Sequence, residues 1–220
     1  MRLRCAIFDF DGTLFDSMFV WDSAGERYLQ SLGRAPKPSL PEALKPLSLR
    51  QAACYLQKEY GLPLSAEQIQ AGINRTVEQC YRETVLPKPG VEAFLERLHK
   101  AGIGMCIATA TDRPMIQAAL DRCDMSGWFD RIFTCSELGH GKDEPHIFRQ
   151  ALAYFGAERS AAIVFEDALH AARTAKADGF AVAAVYDSSE NRQAELRALA
   201  DCYLPDYGHT EDFWKLALAE

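Results

Sequence analysis

The chain has 220 residues, 48% hydrophobic and 25% charged, the make-up of a globular protein of one or two domains. Lys and Arg number 24 against 31 Asp and Glu, a net charge of −7 without a basic run, which argues against a nucleic-acid or polybasic membrane partner. No apolar run approaches the roughly 20 residues that span a bilayer, Asp9 interrupts the N-terminal apolar run too early for a signal peptide, and seven scattered Cys without a CxxC pair read as reduced thiols of a cytoplasmic protein.

In chain order, an apolar strand at Arg4–Phe8 runs directly into Asp9. The following stretch, 17–85, reads as helical. Its patterns fall at Met18–Leu32, Leu49–Tyr60 and Ala66–Thr84, and capping boxes open the last two at Ser48-Leu49-Arg50-Gln51 and Ser65-Ala66-Glu67-Gln68. Pro36, Pro38, Pro41 and Pro46 prevent Gly33–Pro46 from forming one helix. Pro87-Lys88-Pro89-Gly90 marks a return hinge. Beyond it, apolar strands at Ile103–Thr109, Arg131–Cys135, Ala162–Phe165, Phe180–Val185 and Cys202–Leu204 alternate with helices at Val91–Lys100, Pro114–Arg122, Pro145–Phe155, Leu169–Ala177 and Glu190–Ala200. Gly102, Gly156 and Gly179 fall where helix C-caps belong. Phe213-Trp214-Leu216 reads as a closing helix. Near-continuous apolar strands alternating with helices predict an α/β fold, a doubly wound parallel sheet covered on both faces. The expected division is a core of residues 1–16 and 86–220 with an all-helical insert at 17–85.

The chemistry-bearing residues fall at strand ends. Asp9-Phe10-Asp11-Gly12-Thr13-Leu14-Phe15-Asp16-Ser17 places two carboxylates where open α/β sheets bind ligands, and Gly12 permits a turn that aims N–H groups at an anion. The two acids, Asp9 and Asp11, are expected to differ in role. Read alone, the segment is equally a pair of loop-capping carboxylates. A second strand ends at Thr109-Ala110-Thr111-Asp112, a loop carries Gly139-His140-Gly141-Lys142-Asp143-Glu144-Pro145, and a third strand ends in Glu166-Asp167. Hydroxyl, ammonium and two acidic clusters thus share one edge of the sheet. His140 reads as a solvated loop residue, with contact to substrate as the functional alternative, and His146 as first-turn helix. Phe19, Trp21 and Tyr28 read as packing, with cleft contacts that set leaving-group preference as the functional alternative. Arg50, Lys58 and Arg75 read as a solvated helical face.

These four motifs, in this order over nearly the whole chain, resemble the haloacid dehalogenase superfamily, subfamily I with a helical cap. The resemblance implies a Rossmann-like core with the cap inserted after the first strand. It implies Asp9 as nucleophile and Asp11 as general acid and base. Thr109, the Ala110 backbone and Lys142 would bind the phosphoryl oxygens. Asp9, the Asp11 carbonyl and Asp167, supported by Glu166, would hold Mg2+. An attacking carboxylate divides phosphate ester hydrolysis into two displacements through an acyl phosphate. Cations and turn N–H groups neutralise the equatorial oxygens, and Mg2+ favours hard oxygen ligands.

The resemblance also implies that an acid two residues after the nucleophile, here Asp11, favours phosphate ester chemistry over dehalogenation. The implied activity is a phosphatase of a small phosphorylated metabolite, with no partner protein evident. The alternative is a β-phosphoglucomutase-like phosphotransferase, but Trp21 and Leu49 stand where that group carries a histidine and an arginine. A signalling receiver domain uses similar groups but is shorter and lacks the insert; a binding protein without catalysis would share the fold. The chain also departs from the family pattern. Ala110 stands where Ser or Asn is frequent, Lys142-Asp143-Glu144-Pro145-His146 replaces K-P-x-P-D, and Ala168 and Ala171 replace frequent Ser and Gly. Asp143 would either weaken the field of Lys142 or cap the next helix.

Overall fold

A computed structural model describes residues 3–44, 47 and 49–217. The chain divides into two compact units, Met1–Asp16 with Val85–Glu220, and Ser17–Thr84. Its strands are β1 (Cys5–Phe8), β2 (Phe15–Asp16), β3 (Leu86–Pro87), β4 (Gly104–Thr109), β5 (Arg131–Thr134), β6 (Ala162–Glu166), β7 (Ala181–Val185) and β8 (Cys202–Leu204). The helices are α1 (Met18–Ser31), α2 (Leu40–Leu44), α3 (Leu49–Tyr60), α4 (Ala66–Glu83), α5 (Val91–Lys100), α6 (Arg113–Arg122), α7 (Cys135–Leu138), α8 (His146–Phe155), α9 (Leu169–Ala177), α10 (Gln193–Leu199) and α11 (Glu211–Ala217). Among the described residues, no helix is long and apolar enough to cross a membrane.

In the first unit six strands form one parallel sheet in the order β5-β4-β1-β6-β7-β8. The α/β fold expected from the apolar runs is the one observed. Every residue of β1 and β6 is buried, as a parallel sheet covered on both faces requires. Alternation sorts their side chains. Cys5 and Ile7 face a cluster with Cys106, Val164, Phe148 of α8 and Leu169 of α9. Phe8 faces the other way and stacks on Phe165, ring centroids 4.3 Å apart, with Phe94 of α5 edge-on at 6.5 Å. Phe213 of α11, the expected closing helix, packs on Phe94 at 5.1 Å. From β1 the chain runs outward to β4 and β5, then crosses to β6, β7 and β8. The order therefore reverses at β1, and ligands of open α/β sheets bind in the crevice at such a reversal.

β2 and β3 form a separate antiparallel pair, Phe15 opposite Pro87 and Asp16 opposite Leu86. The first unit is thus closed where the chain leaves and re-enters it. The second unit contains α1 to α4. Gly72 of α4 lets the Tyr28 ring of α1 approach, since a Cβ there would sit 2.2 Å from it. α4 opens with the expected capping box: the Gln68 amide donates to Ser65 Oγ at 3.2 Å and the Ser65 amide to Gln68 Oε1 at 2.8 Å. Ser48 and Pro46, invoked for the start of α3 and the proline-rich stretch, lie outside the described residues.

Candidate active site

The site lies wholly within the first unit, at the C-terminal edge of its sheet. As β1 ends, the Asp9 amide donates to the Phe165 carbonyl of β6 at 2.9 Å, and Asp9 Oδ1 accepts from the Phe10 amide at 2.7 Å. The chain then turns tightly: the Leu14 and Phe15 amides both donate to the Phe10 carbonyl, and the Gly12 amide donates to the Phe15 carbonyl. Gly12 adopts φ +71°, and a Cβ there would lie 2.3 Å from Asp167 Oδ2. Both the left-handed backbone and the nearby carboxylate require glycine.

Lys142 arrives from the loop before α8 with its side chain 5% exposed. Its ammonium lies 2.7 Å from Asp9 Oδ1 and 2.6 Å from Glu166 Oε1. Burial alone would pull its pKa down, but the two carboxylates outweigh it and hold the ammonium protonated above its ordinary range. The other Glu166 oxygen accepts from the Ala168 amide at 3.2 Å. Burial and the charge of Asp9 raise the Glu166 carboxyl above the usual range despite Lys142. Asp167, also buried, is likewise raised well above its ordinary value, first by burial and then by Glu166 and Asp9.

One oxygen each of Asp9, Glu166 and Asp167 lies within 4.8 Å of the others. Three carboxylates around one ammonium leave the cluster rich in negative charge. The donors are all hard oxygens, without Cys or His, a set suited to Mg2+ rather than to a softer ion. These residues fit the metal that the resemblance implied.

Asp11 is held differently: β1 ends at Phe8, so the turn and not strand alternation sets its direction. Its Oδ2 accepts from the Thr111 hydroxyl at 2.6 Å. Thr109 is fully buried, and its hydroxyl accepts from the Thr111 amide at 3.1 Å; Ala110 between them is exposed. Sequence reading passed over three residues here. The Thr13 hydroxyl donates to Asp167 Oδ1 at 2.9 Å, the Tyr207 hydroxyl donates to the Thr13 carbonyl at 3.1 Å, and Thr111 holds Asp11. Thr13 and Thr111 stand inside motifs already singled out, but Tyr207 carries no signal of its own. Asp143 does not cap α8, whose N-cap is Pro145 without a side-chain cap.

The model of one hydrolase family, described as haloacid dehalogenase-like hydrolase, matches residues 3–179. The chain belongs to that family. The match includes Asp9, Asp11, Thr109, Ala110, Lys142, Glu166 and Asp167. This haloacid dehalogenase-like hydrolase is 24% identical over 177 residues to the phosphorylated carbohydrates phosphatase of Thermotoga maritima, covering 80% of this chain and 82% of that protein. It is 25% identical over 179 residues to hexitol phosphatase B of Escherichia coli strain K12, covering 80% of each. Its fold is that of CbbY from Rhodobacter sphaeroides, solved in complex with phosphate: TM-score 0.76, 21% identity, 95% of this chain and 96% of that one covered.

Proposed function

We propose that this hydrolase is a Mg2+-dependent phosphatase of small phosphorylated compounds, sugar or polyol phosphates foremost, acting through an aspartyl phosphate on Asp9. The observation that carries the reading is the direct pairing of Asp9 with buried Lys142 inside a cluster completed by Glu166 and Asp167, with Asp11 held separately by Thr111. The substrate class is suggested by the phosphatases of carbohydrates and hexitols to which the chain is similar. Seven free thiols support a cytoplasmic setting.

In this reading an Asp9 carboxylate oxygen forms a bond to phosphorus as the bond to the leaving oxygen breaks, and Asp11 gives that oxygen its proton. Asp11 then takes a proton from water. The water oxygen bonds to phosphorus, the acyl oxygen–phosphorus bond breaks, and phosphate leaves with Asp9 restored. Lys142, with Thr109 and the Ala110 amide, would hold the phosphoryl oxygens and balance their charge. Mg2+, held by Asp9, Asp167 and the Asp11 carbonyl with Glu166 in support, would supply further neutralisation of those oxygens when bound. The helical unit would serve as the cap that selects the substrate.

The phosphotransferase alternative needs cap groups for a second phosphate. At the aligned positions stand Leu49 and Trp21, and the indole N–H of Trp21 donates to the buried Tyr81 hydroxyl at 3.1 Å. That donor is already engaged within the helical unit, which favours hydrolysis.

The test is a panel of sugar, polyol and nucleotide phosphates with the wild type and Asp9→Asn. Hydrolysis should vanish with excess chelator and return with Mg2+. Asp9→Asn should lose at least about a hundredfold in turnover, because an amide cannot attack phosphorus. A variant retaining more than that, or full activity in chelator, overturns the proposal. Glucose 6-phosphate formed rapidly from β-glucose 1-phosphate would promote the transferase.

A further inference from the structure

On the loop that carries Lys142 lies a group of a different chemical type from the carboxylate cluster. His140 follows Gly139, whose φ is +73° as the C-cap of α7, and His146 opens α8. The two imidazole rings meet with centroids 4.5 Å apart and planes inclined at 39°. His140 Nδ1 lies 2.9 Å from Glu144 Oε2. The side chains of His140 and Glu144 are 43% and 59% exposed, so the group is open to solvent.

We propose that His140 and His146 form a binding site for a nitrogen-preferring divalent first-row cation, Ni2+ or Cu2+, with Glu144 as the carboxylate that orients His140. Two features of the geometry carry this. The first is ring spacing. With a nitrogen of each ring turned to one ion, a metal–nitrogen bond of about 2.1 Å plus roughly 1.1 Å from nitrogen to ring centre places each centroid about 3.2 Å from it, and rings 4.5 Å apart then subtend roughly 90° there. That angle belongs to cis ligands of octahedral or square-planar ions and is narrower than a tetrahedral site requires. The second is the Glu144 contact. A carboxylate on Nδ1 favours the tautomer with its proton there and leaves the Nε2 lone pair for a metal, the arrangement in which metal-ligating histidines are held by an orienting carboxylate. Water would complete the coordination.

This site differs from the carboxylate cluster in donor type and therefore in the ion it selects. Its two ligands stand on either side of Lys142 in the chain, so a bound ion would tie together both ends of the segment that positions that ammonium.

The test is calorimetric titration of the full chain with Ni2+ in excess Mg2+, which occupies the hard oxygen donors. One Ni2+ should bind. His140→Ala and His146→Ala should each weaken it at least tenfold, Glu144→Ala about tenfold, and the double variant of His170→Ala with His209→Ala not at all. Unchanged affinity in the paired His140→Ala and His146→Ala variant, or an equal loss in the His170/His209 control, overturns the proposal. On the unsubstituted protein, pulsed EPR of bound Cu2+ should register the remote nitrogens of two imidazoles; one or none overturns it as well.

Discussion

Gly12 shows how narrowly a single position can be constrained at this sheet edge. Its φ of +71° is open to glycine, and the space a side chain would enter is held by Asp167 Oδ2. Gly12→Ala should therefore destabilise the chain by about 1–3 kcal/mol through backbone strain and a displaced buried carboxylate. It should also raise the Mg2+ concentration needed for half-maximal hydrolysis. Urea unfolding and a Mg2+ titration check this; a loss below about 0.5 kcal/mol, the scatter of neutral surface changes, contradicts it. At this scale the site was legible where a charged residue ends an apolar run. Asp9, Glu166 and Asp167 announce themselves because charge seldom follows buried strands without a partner; Lys142, on a loop, was legible only as one of the four motifs that resemble the family, and the fold brings these side chains into contact. Thr13 and Thr111 were not legible. A hydroxyl serves solvent, its own turn or a distant carboxylate equally well, and only the folded turn aims Thr13 at Asp167 and Thr111 at Asp11.

Among the elements, an ion pair joins the segments just past β3 and β7. Lys88, just past β3, lies 2.8 Å from Asp187 Oδ2, just past β7, and also donates to the Tyr186 carbonyl at 2.6 Å; the two side chains are 14% and 7% exposed. Burial pushes the Asp187 carboxyl up, but Lys88 and the Ser189 amide and hydroxyl outweigh it, so its folded pKa lies below the ordinary value. A carboxyl lowered by folding stabilises above its unfolded pKa and loses that contribution as pH falls through the folded pKa. Asp187→Asn should thus lose about 1.5–3 kcal/mol near pH 7, the worth of hydrogen bonds to a charged group. The gap from wild type should close below about pH 4, where the ordinary carboxyl titrates. Urea midpoints across pH 3–7 read this directly, and a constant gap would refute it.

The long elements were legible from continuous apolar runs and caps; the short ones were not, for identifiable reasons. α2 begins inside the proline-rich stretch because Pro41 occupies its first turn, where a missing N–H is harmless. β2 and β3 have two residues each, too few for any period. Cys135 leaves β5 because the Thr134 hydroxyl accepts from the Glu137 amide and starts α7 there. Glu190 stands outside α10 because its carboxylate accepts from the Leu169 amide at the start of α9, where the helix dipole favours negative charge.

For the whole molecule, the pairing of β2 with β3 keeps the two ends of the insertion side by side in the first unit. Joining Asp16 to Val85 through a short Gly/Ser linker should therefore leave a folded α/β unit, checked by circular dichroism and cooperative unfolding. If the helical unit selects substrate, the shortened protein should retain slow hydrolysis but flatten the ranking of kcat/KM across the phosphate panel; an unchanged ranking would refute that role. The place of β1 bears on synthesis as well. Of the sheet's described strands it is the first to leave the ribosome, yet it occupies the middle of the sheet, pairing Cys5 with Gly104 on one side and with Ala162 on the other. For about a hundred residues of translation this apolar strand has no sheet partner on either edge, an interval in which nascent chains are exposed to aggregation. The residues translated meanwhile are mostly those of a helical unit rich in local contacts, which can form before the sheet does.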